Sequence, residues 1–249
     1  MATIYFYTII SVLIVSALSL IGVISLVLSG DKINRIIMFL VSLSAGVLLG
    51  DSFLHLIPEA VEKNYSPNIW LWLLMGILIF FILEKIIHWR HCHIPSSTFH
   101  HHAVGKMNLI GDGLHNFLDG ILIAGSYLVS LPLGIATTIA VIAHEIPQEI
   151  SDFGVLLYAG YHRSRAIFFN FLSALMAVAG SIIALMIGSS MENFSQIIIP
   201  LTAGGFIYIA AADLIPELRK DSCSLPQASY QLISIVIGIA IMLLLKKVS

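Results

Sequence analysis

The sequence predicts an all-α integral membrane protein of eight transmembrane helices, with an inverted repeat relating spans 1–3 to spans 6–8. Three observations carry this. Of 249 residues, 58% are hydrophobic and only 10% are Asp, Glu, Lys or Arg, against about 25% charged residues in a soluble domain. Too little polar surface remains to cover so apolar a core. The apolar residues fall into eight stretches near the roughly 20 residues that cross a hydrocarbon layer, at about 5–28, 35–60, 69–89, 105–128, 133–158, 164–189, 195–217 and 229–246. Two of these stretches also echo each other. AG at 45–46 precedes LIPE at 56–59, and AG at 203–204 precedes LIPE at 214–217, an offset of 158 in both cases (203 − 45 and 214 − 56). Spans 2 and 7 cross in opposite directions, so the echo is the trace of an inverted repeat, an architecture common in secondary transporters.

Span 1 is too long for a signal-peptide core and lacks a basic leader, so it reads as a membrane crossing. SGDK at 29–32 turns into span 2, which carries Asp51, His55 and Glu59. SPN at 66–68 turns into span 3, with Glu84 near its end, and a polar connection at 90–103 follows. SLP at 130–132 joins spans 4 and 5 so tightly that they must run antiparallel. Spans 6 to 8 follow on short links, span 7 bearing Asp213 and Glu217, and no length is left for a soluble domain.

With the amino end outside, the inner links and span ends hold Lys32, Arg35, Lys85, Arg90, Lys106, Arg163, Arg165, Arg219 and Lys220, and the outer ones only Lys63, Lys246 and Lys247. That bias puts both termini outside the cytoplasm; the expected location is the plasma (cell inner) membrane, with lipids as partners. The two cysteines, Cys92 and Cys223, fall in separate polar links and form no disulfide framework. No basic stripe or base-stacking motif points to nucleic acid.

Spans 4 and 5 break the apolar rule. At a helix centre each acidic residue costs about 2.5–3.5 kcal/mol to insert. Span 5 nevertheless reads AHEIPQEISDF, with Glu145, Glu149 and Asp152, a penalty of about 8–10 kcal/mol on that scale. Span 4 reads GDGLHNFLDG, placing Asp112, His115, Asn116 and Asp119 at i, i+3, i+4 and i+7 on one helix face. In span 5, His144 and Gln148, Glu145 and Glu149, and Gln148 and Asp152 are each i, i+4 pairs. Pro147 removes a backbone hydrogen bond and frees the carbonyl of Ala143, which is expected to face the same cavity. Imidazole, carboxylate and amide oxygen without thiolate suit borderline divalent cations such as zinc, iron, manganese or cadmium. Any one of these groups alone is ordinarily interhelical glue. Two facing clusters with ligand spacing point to a cation site. Asp51, His55, Glu59, Asp112, Glu149, Asp152, Asp213 and Glu217 would line the route to and from it.

The connection at 88–102 reads HWRHCHIPSSTFHHH and holds six of the ten histidines. His91, Cys92, His93, His100, His101 and His102 suit cytoplasmic metal capture, the bland alternative being a flexible basic loop. At the level of function, ion transport competes with an intramembrane metal-dependent hydrolase of lipid-like substrates and with a metal sensor. The mid-membrane depth of the ligands disfavours the hydrolase, and the lack of a signalling domain disfavours the sensor.

HNFLDG, HEIPQEISDFGVLL and GGFIYIAAADLIPEL resemble the signatures of the ZIP (Zrt/Irt-like) family of divalent-metal transporters. The resemblance extends over nearly the whole chain. It implies a homodimeric transporter that moves Zn2+ or a related cation, as its substrate, toward the cytoplasm, and not an enzyme. It assigns His115, Asn116 and Asp119 of span 4 and His144, Glu145 and Gln148 of span 5 as metal ligands. It further implies that spans 1, 4, 5 and 6 slide against a scaffold of spans 2, 3, 7 and 8. Gln148 stands where many relatives have a carboxylate, leaving Asp119 and Glu145 to neutralise one dication, so a single tightly held metal is expected.

Overall fold

A computed structural model describes residues 2–21, 30–63, 68–89, 100–188, 193–221 and 225–248. Among these the backbone is helical, without strands. Helix α1 is Ala2–Leu18. Helix α2 runs Gly30–Asp51, passes through a π-helical turn at Ser52–Leu56 and ends as Ile57–Glu62. Helices α3, α4 and α5 are Ile69–Trp89, His100–Val129 and Leu131–Tyr158; α6 is broken at Leu175 into Arg163–Ala174 and Met176–Gly188. Helix α7 repeats the pattern of α2: Phe194–Tyr208, a π turn at Ile209–Leu214, then Ile215–Asp221. Helix α8 is Leu225–Val248. The expected connection at 90–103 is shortened, because α4 already begins at His100.

Among the described residues, five segments are long and apolar enough to cross a membrane: Ala2–Ile21, Arg35–Glu62, Arg163–Gly188, Phe194–Arg219 and Leu225–Lys247. The chain is an integral membrane protein, and its side chains are sorted accordingly. Phe6, Trp70, Leu74, Met186, Leu232 and Leu244 point outward, whereas Asp51, Asp119, His144, Glu145 and Glu149 are fully or almost fully buried. A soluble protein buries its charges far more rarely.

The most extensive pairings are α4 with the second half of α6, α2 with α8, α3 with α7, and α4 with α5. Three of them share one device, in which a glycine on each helix meets the other helix's carbonyl three residues before the partner glycine. Gly46 lies against Ile235 O and Gly238 against Leu43 O; Gly204 lies against Leu73 O and Gly76 against Leu201 O; Gly120 lies against Ala177 O and Gly180 against Phe117 O. A methyl group at any of these positions would strike backbone. Close approach through small residues is how helices pack where no hydrophobic effect separates protein from solvent.

The link between α4 and α5 is a single residue. Ser130 caps α5, its Oγ accepting from Leu133 N at 3.3 Å, with Pro132 in the first turn where a missing N–H costs nothing. That tight turn lays the polar centres of α4 and α5 side by side. Pro147 does not break α5, which stays helical through Tyr158. The carbonyl that it frees, Ala143 O, faces α2 rather than the polar cavity, and Ser44 Oγ donates to it at 2.5 Å. The replacement bond explains why the helix runs on.

Candidate metal centre

Four of the expected residues converge. His115 and Asp119 descend one face of α4, and His144 and Glu145 come from α5 directly opposite; one ligand atom from each lies within 4.8 Å of all the others. The measured pairs are tighter. His115 Nε2 is 3.3 Å from His144 Nε2 and 3.6 Å from Asp119 Oδ2; His144 Nε2 is 3.1 Å from Asp119 Oδ2; Glu145 Oε1 is 3.5 Å from His115 Nε2 and 3.6 Å from His144 Nε2. A tetrahedron with metal–ligand bonds of about 2.0–2.1 Å has edges of about 3.3 Å. The cluster has these dimensions.

Its chemistry agrees with its shape. His144 Nδ1 lies 3.0 Å from Ala140 O, and because a carbonyl only accepts, Nδ1 carries the proton and Nε2 presents its lone pair to the cluster. Phe206 packs edge-on against the His144 ring and Phe80 against the His115 ring, fixing both planes. Asp119 and Glu145 are fully buried, and Asp119 Oδ1 and both Glu145 oxygens have no hydrogen-bond partner among the described residues. Four electron-rich atoms in such proximity repel one another in a medium of low dielectric constant unless positive charge sits among them. A dication satisfies all four at once.

Asn116 and Gln148 stand beside this group, both engaged with Asp112. Asn116 Nδ2 donates to Asp112 Oδ1 at 2.8 Å, and the Gln148 side chain also reaches Asp112. The remaining acids are tied down by amides and hydroxyls. Ser173 donates to Asp112, Asn170 to Glu149, and Asn108 to Asp152 at 3.1 Å. A cavity of about 170 Å³ opens onto the cluster from one end of the bundle. His115, Asp112 and Gln148 line its inner part, with Asp152, Glu84 and Asp213 further out. Tyr208 at its wall donates to Glu84. At the opposite end, Asp51, His55 and Glu59 lie on the last turns of α2, and Glu59 pairs with Lys63 at 2.5 Å. Glu217 is half-buried beyond the π turn of α7. His91, Cys92 and His93 lie outside the described residues, and His100, His101 and His102 form the first turn of α4.

Sequence reasoning missed Ser44, Phe80, Thr137, Asn170, Ser173 and Phe206. Asn170 offered a signal, a lone amide within the apolar FFNFLSAL, since a polar side chain inside a membrane helix needs a partner. Phe80 and Phe206 offered none among so many apolar neighbours.

The comparisons with known proteins agree with this geometry. The family profile described as ZIP Zinc transporter matches residues 2–106 and 90–246. The zinc transporter ZIP13 homolog of Drosophila melanogaster is 32% identical over 84% of this chain and 77% of its own length. Zinc transporter ZIP13 of Pongo abelii is 34% identical over 82% of the chain and 65% of its own length. Zinc transporter ZIP10 of Danio rerio is 40% identical over 57% of the chain, but this spans only 18% of that protein. Membership of a transporter family sets aside the hydrolase. An all-helical membrane protein with a buried cluster of two histidines, an aspartate and a glutamate between two antiparallel helices, this chain belongs to the ZIP zinc transporter family.

Proposed function

We propose that the chain carries a divalent cation, zinc foremost, across the membrane toward the cytoplasm, holding it between α4 and α5 by His115, Asp119, His144 and Glu145. The tetrahedral spacing of those four ligand atoms carries the reading. With two carboxylates, Asp119 and Glu145, to balance two charges, the centre takes one metal at a time. The cavity at Asp112, Gln148, Asp152 and Asp213 is the route on the cytoplasmic side, and His100–His102 with His91, Cys92 and His93 gather metal there.

All eight helices span the bilayer in this reading, with both termini outside in the plasma membrane, lipid against the exposed apolar faces and a second copy completing a homodimer. The inverted repeat has support beyond LIPE. The π turns at Ser52–Leu56 and Ile209–Leu214 coincide under the 158-residue offset (56 + 158 = 214). So do the glycine crossings, Gly46 of α2 against α8 matching Gly204 of α7 against α3 (46 + 158 = 204). Transport proceeds by sliding of α1, α4, α5 and α6 against α2, α3, α7 and α8. The close pairings fall largely within those two groups, and Ser11–Tyr127 and Ser16–Ala174 O, both at 2.8 Å, tie α1 to α4 and α6.

The test is radioactive zinc uptake into proteoliposomes. Asp119→Ala and His144→Ala are each expected to abolish uptake while the protein still folds; undiminished uptake in both would overturn the assignment.

A further inference from the structure

At the end of α2 remote from the cytoplasmic cavity, an acid and a histidine are arranged in a way that the central site does not use. Asp51 is fully buried and His55 is nine-tenths buried. His55 Nδ1 lies 3.1 Å from Asp51 Oδ1, while Asp51 Oδ2 is 3.3 Å from the Thr137 hydroxyl of α5. The contact is a close electrostatic pairing rather than an aligned hydrogen bond, and a carboxylate on that side of the ring favours the tautomer with the proton on Nδ1 and the lone pair on Nε2. Among the described residues, neither ring nitrogen of His55 nor Asp51 Oδ1 has a hydrogen-bond partner, so Nε2 is free to meet a ligand. This is the carboxylate–histidine pairing that orients imidazoles toward metals.

The imidazole lines a second cavity, of about 320 Å³, together with Glu59, Glu62, Lys63, Ser130 and Lys246. Its acids, Glu59 and Glu62 with Asp51 behind, outnumber its two lysines, one of which Glu59 already pairs. The two cavities lie at opposite ends of the bundle. Asn108 lines one and Ser130 the other, 22 residues apart along α4 (130 − 108), or about 33 Å of helix.

The repeat adds an independent observation. His55 lies in the π turn of α2, and the residue 158 positions on is Asp213, in the π turn of α7, which lines the other cavity. Single π turns recur at functional sites because the extra residue re-aims a side chain. The same repeat position therefore places a metal-ligating side-chain type, a histidine or an aspartate, at each cavity.

We propose that His55, oriented by Asp51, is an antechamber ligand for the divalent cation at the outer mouth, with Glu59 one turn beyond and water completing the coordination. His55 touches the metal, and Asp51 is a positioning residue. The direction of traffic past His55 rests on the transport reading above, but the binding does not, so the decisive experiment reads binding.

Crystals of the full-length Asp119→Ala/His144→Ala variant, grown with zinc and excess magnesium, are examined by zinc anomalous scattering. Zinc density about 2.0–2.1 Å from His55 Nε2 is expected, persisting without the central site. Asp51→Asn in the same background is expected to weaken zinc binding at His55 about tenfold, as loss of an orienting partner does. No zinc at His55 would overturn the proposal even if uptake through the central site stands. Undiminished zinc in Asp51→Asn would overturn the role of Asp51.

Discussion

Glu145→Gln tests the electrostatics of the centre with almost no change of shape. The amide keeps an oxygen where Glu145 Oε1 now lies, 3.5 Å from His115 Nε2 and 3.6 Å from His144 Nε2. It removes one of the two negative charges that balance a dication, in a side chain with no exposure. Leaving a buried charge uncompensated costs about 3–5 kcal/mol. At 1.4 kcal/mol per factor of ten, zinc affinity should fall by about 10²- to 10⁴-fold. The assay is competition with a chromophoric chelator, using protein that lacks residues 91–102 so that loop histidines do not contribute. Affinity within threefold of the parent would refute the reasoning, because charge balance would then not hold the metal.

Other expectations follow from the packing. Ser44→Ala orphans the carbonyl that Pro147 freed and should cost about 1–3 kcal/mol, read as a lowered Tm in detergent, with Ser44→Thr retaining most of the stability. Gly46→Ala and Gly204→Ala each drive a methyl group into a facing carbonyl; both should destabilise by about 1–3 kcal/mol, and an unchanged Tm for either would contradict the close-packed crossings. Deleting residues 91–102 should relieve inhibition of uptake by cytoplasmic zinc, and unaltered inhibition would remove that role from the histidine tract.

Much of the candidate cluster was legible because helical periodicity is local. HNFLD and HE each put metal-ligating side-chain types on a known face, and the one-residue turn at Ser130 leaves α4 and α5 no arrangement but antiparallel neighbours. What joins those faces to the rest of the bundle was not legible. Ser44 meets Ala143 across 99 residues and Asn170 meets Glu149 across 21, and no period connects such partners. Pro147 shows the boundary well. The sequence implies a freed carbonyl, but only the fold supplies the α2 hydroxyl that fills its place and keeps α5 helical. The π turns were hidden too, since LIPE marks the repeat without revealing the widened turn before it. Asn116 looks like a ligand by type and spacing; its Nδ2 is given to Asp112, a partner one turn back on the same helix, while its Oδ1, the atom a metal would use, has no hydrogen-bond partner among the described residues.

Zinc anomalous scattering from crystals of the unmodified protein tests the central assignment most directly. A single peak between α4 and α5 is expected, about 2.0–2.1 Å from His115 Nε2, His144 Nε2 and one oxygen each of Asp119 and Glu145. Two fully occupied peaks about 3.5–4 Å apart, as in paired metal sites, would contradict it, as would a zinc held by Asn116 and Gln148 with the histidines left out.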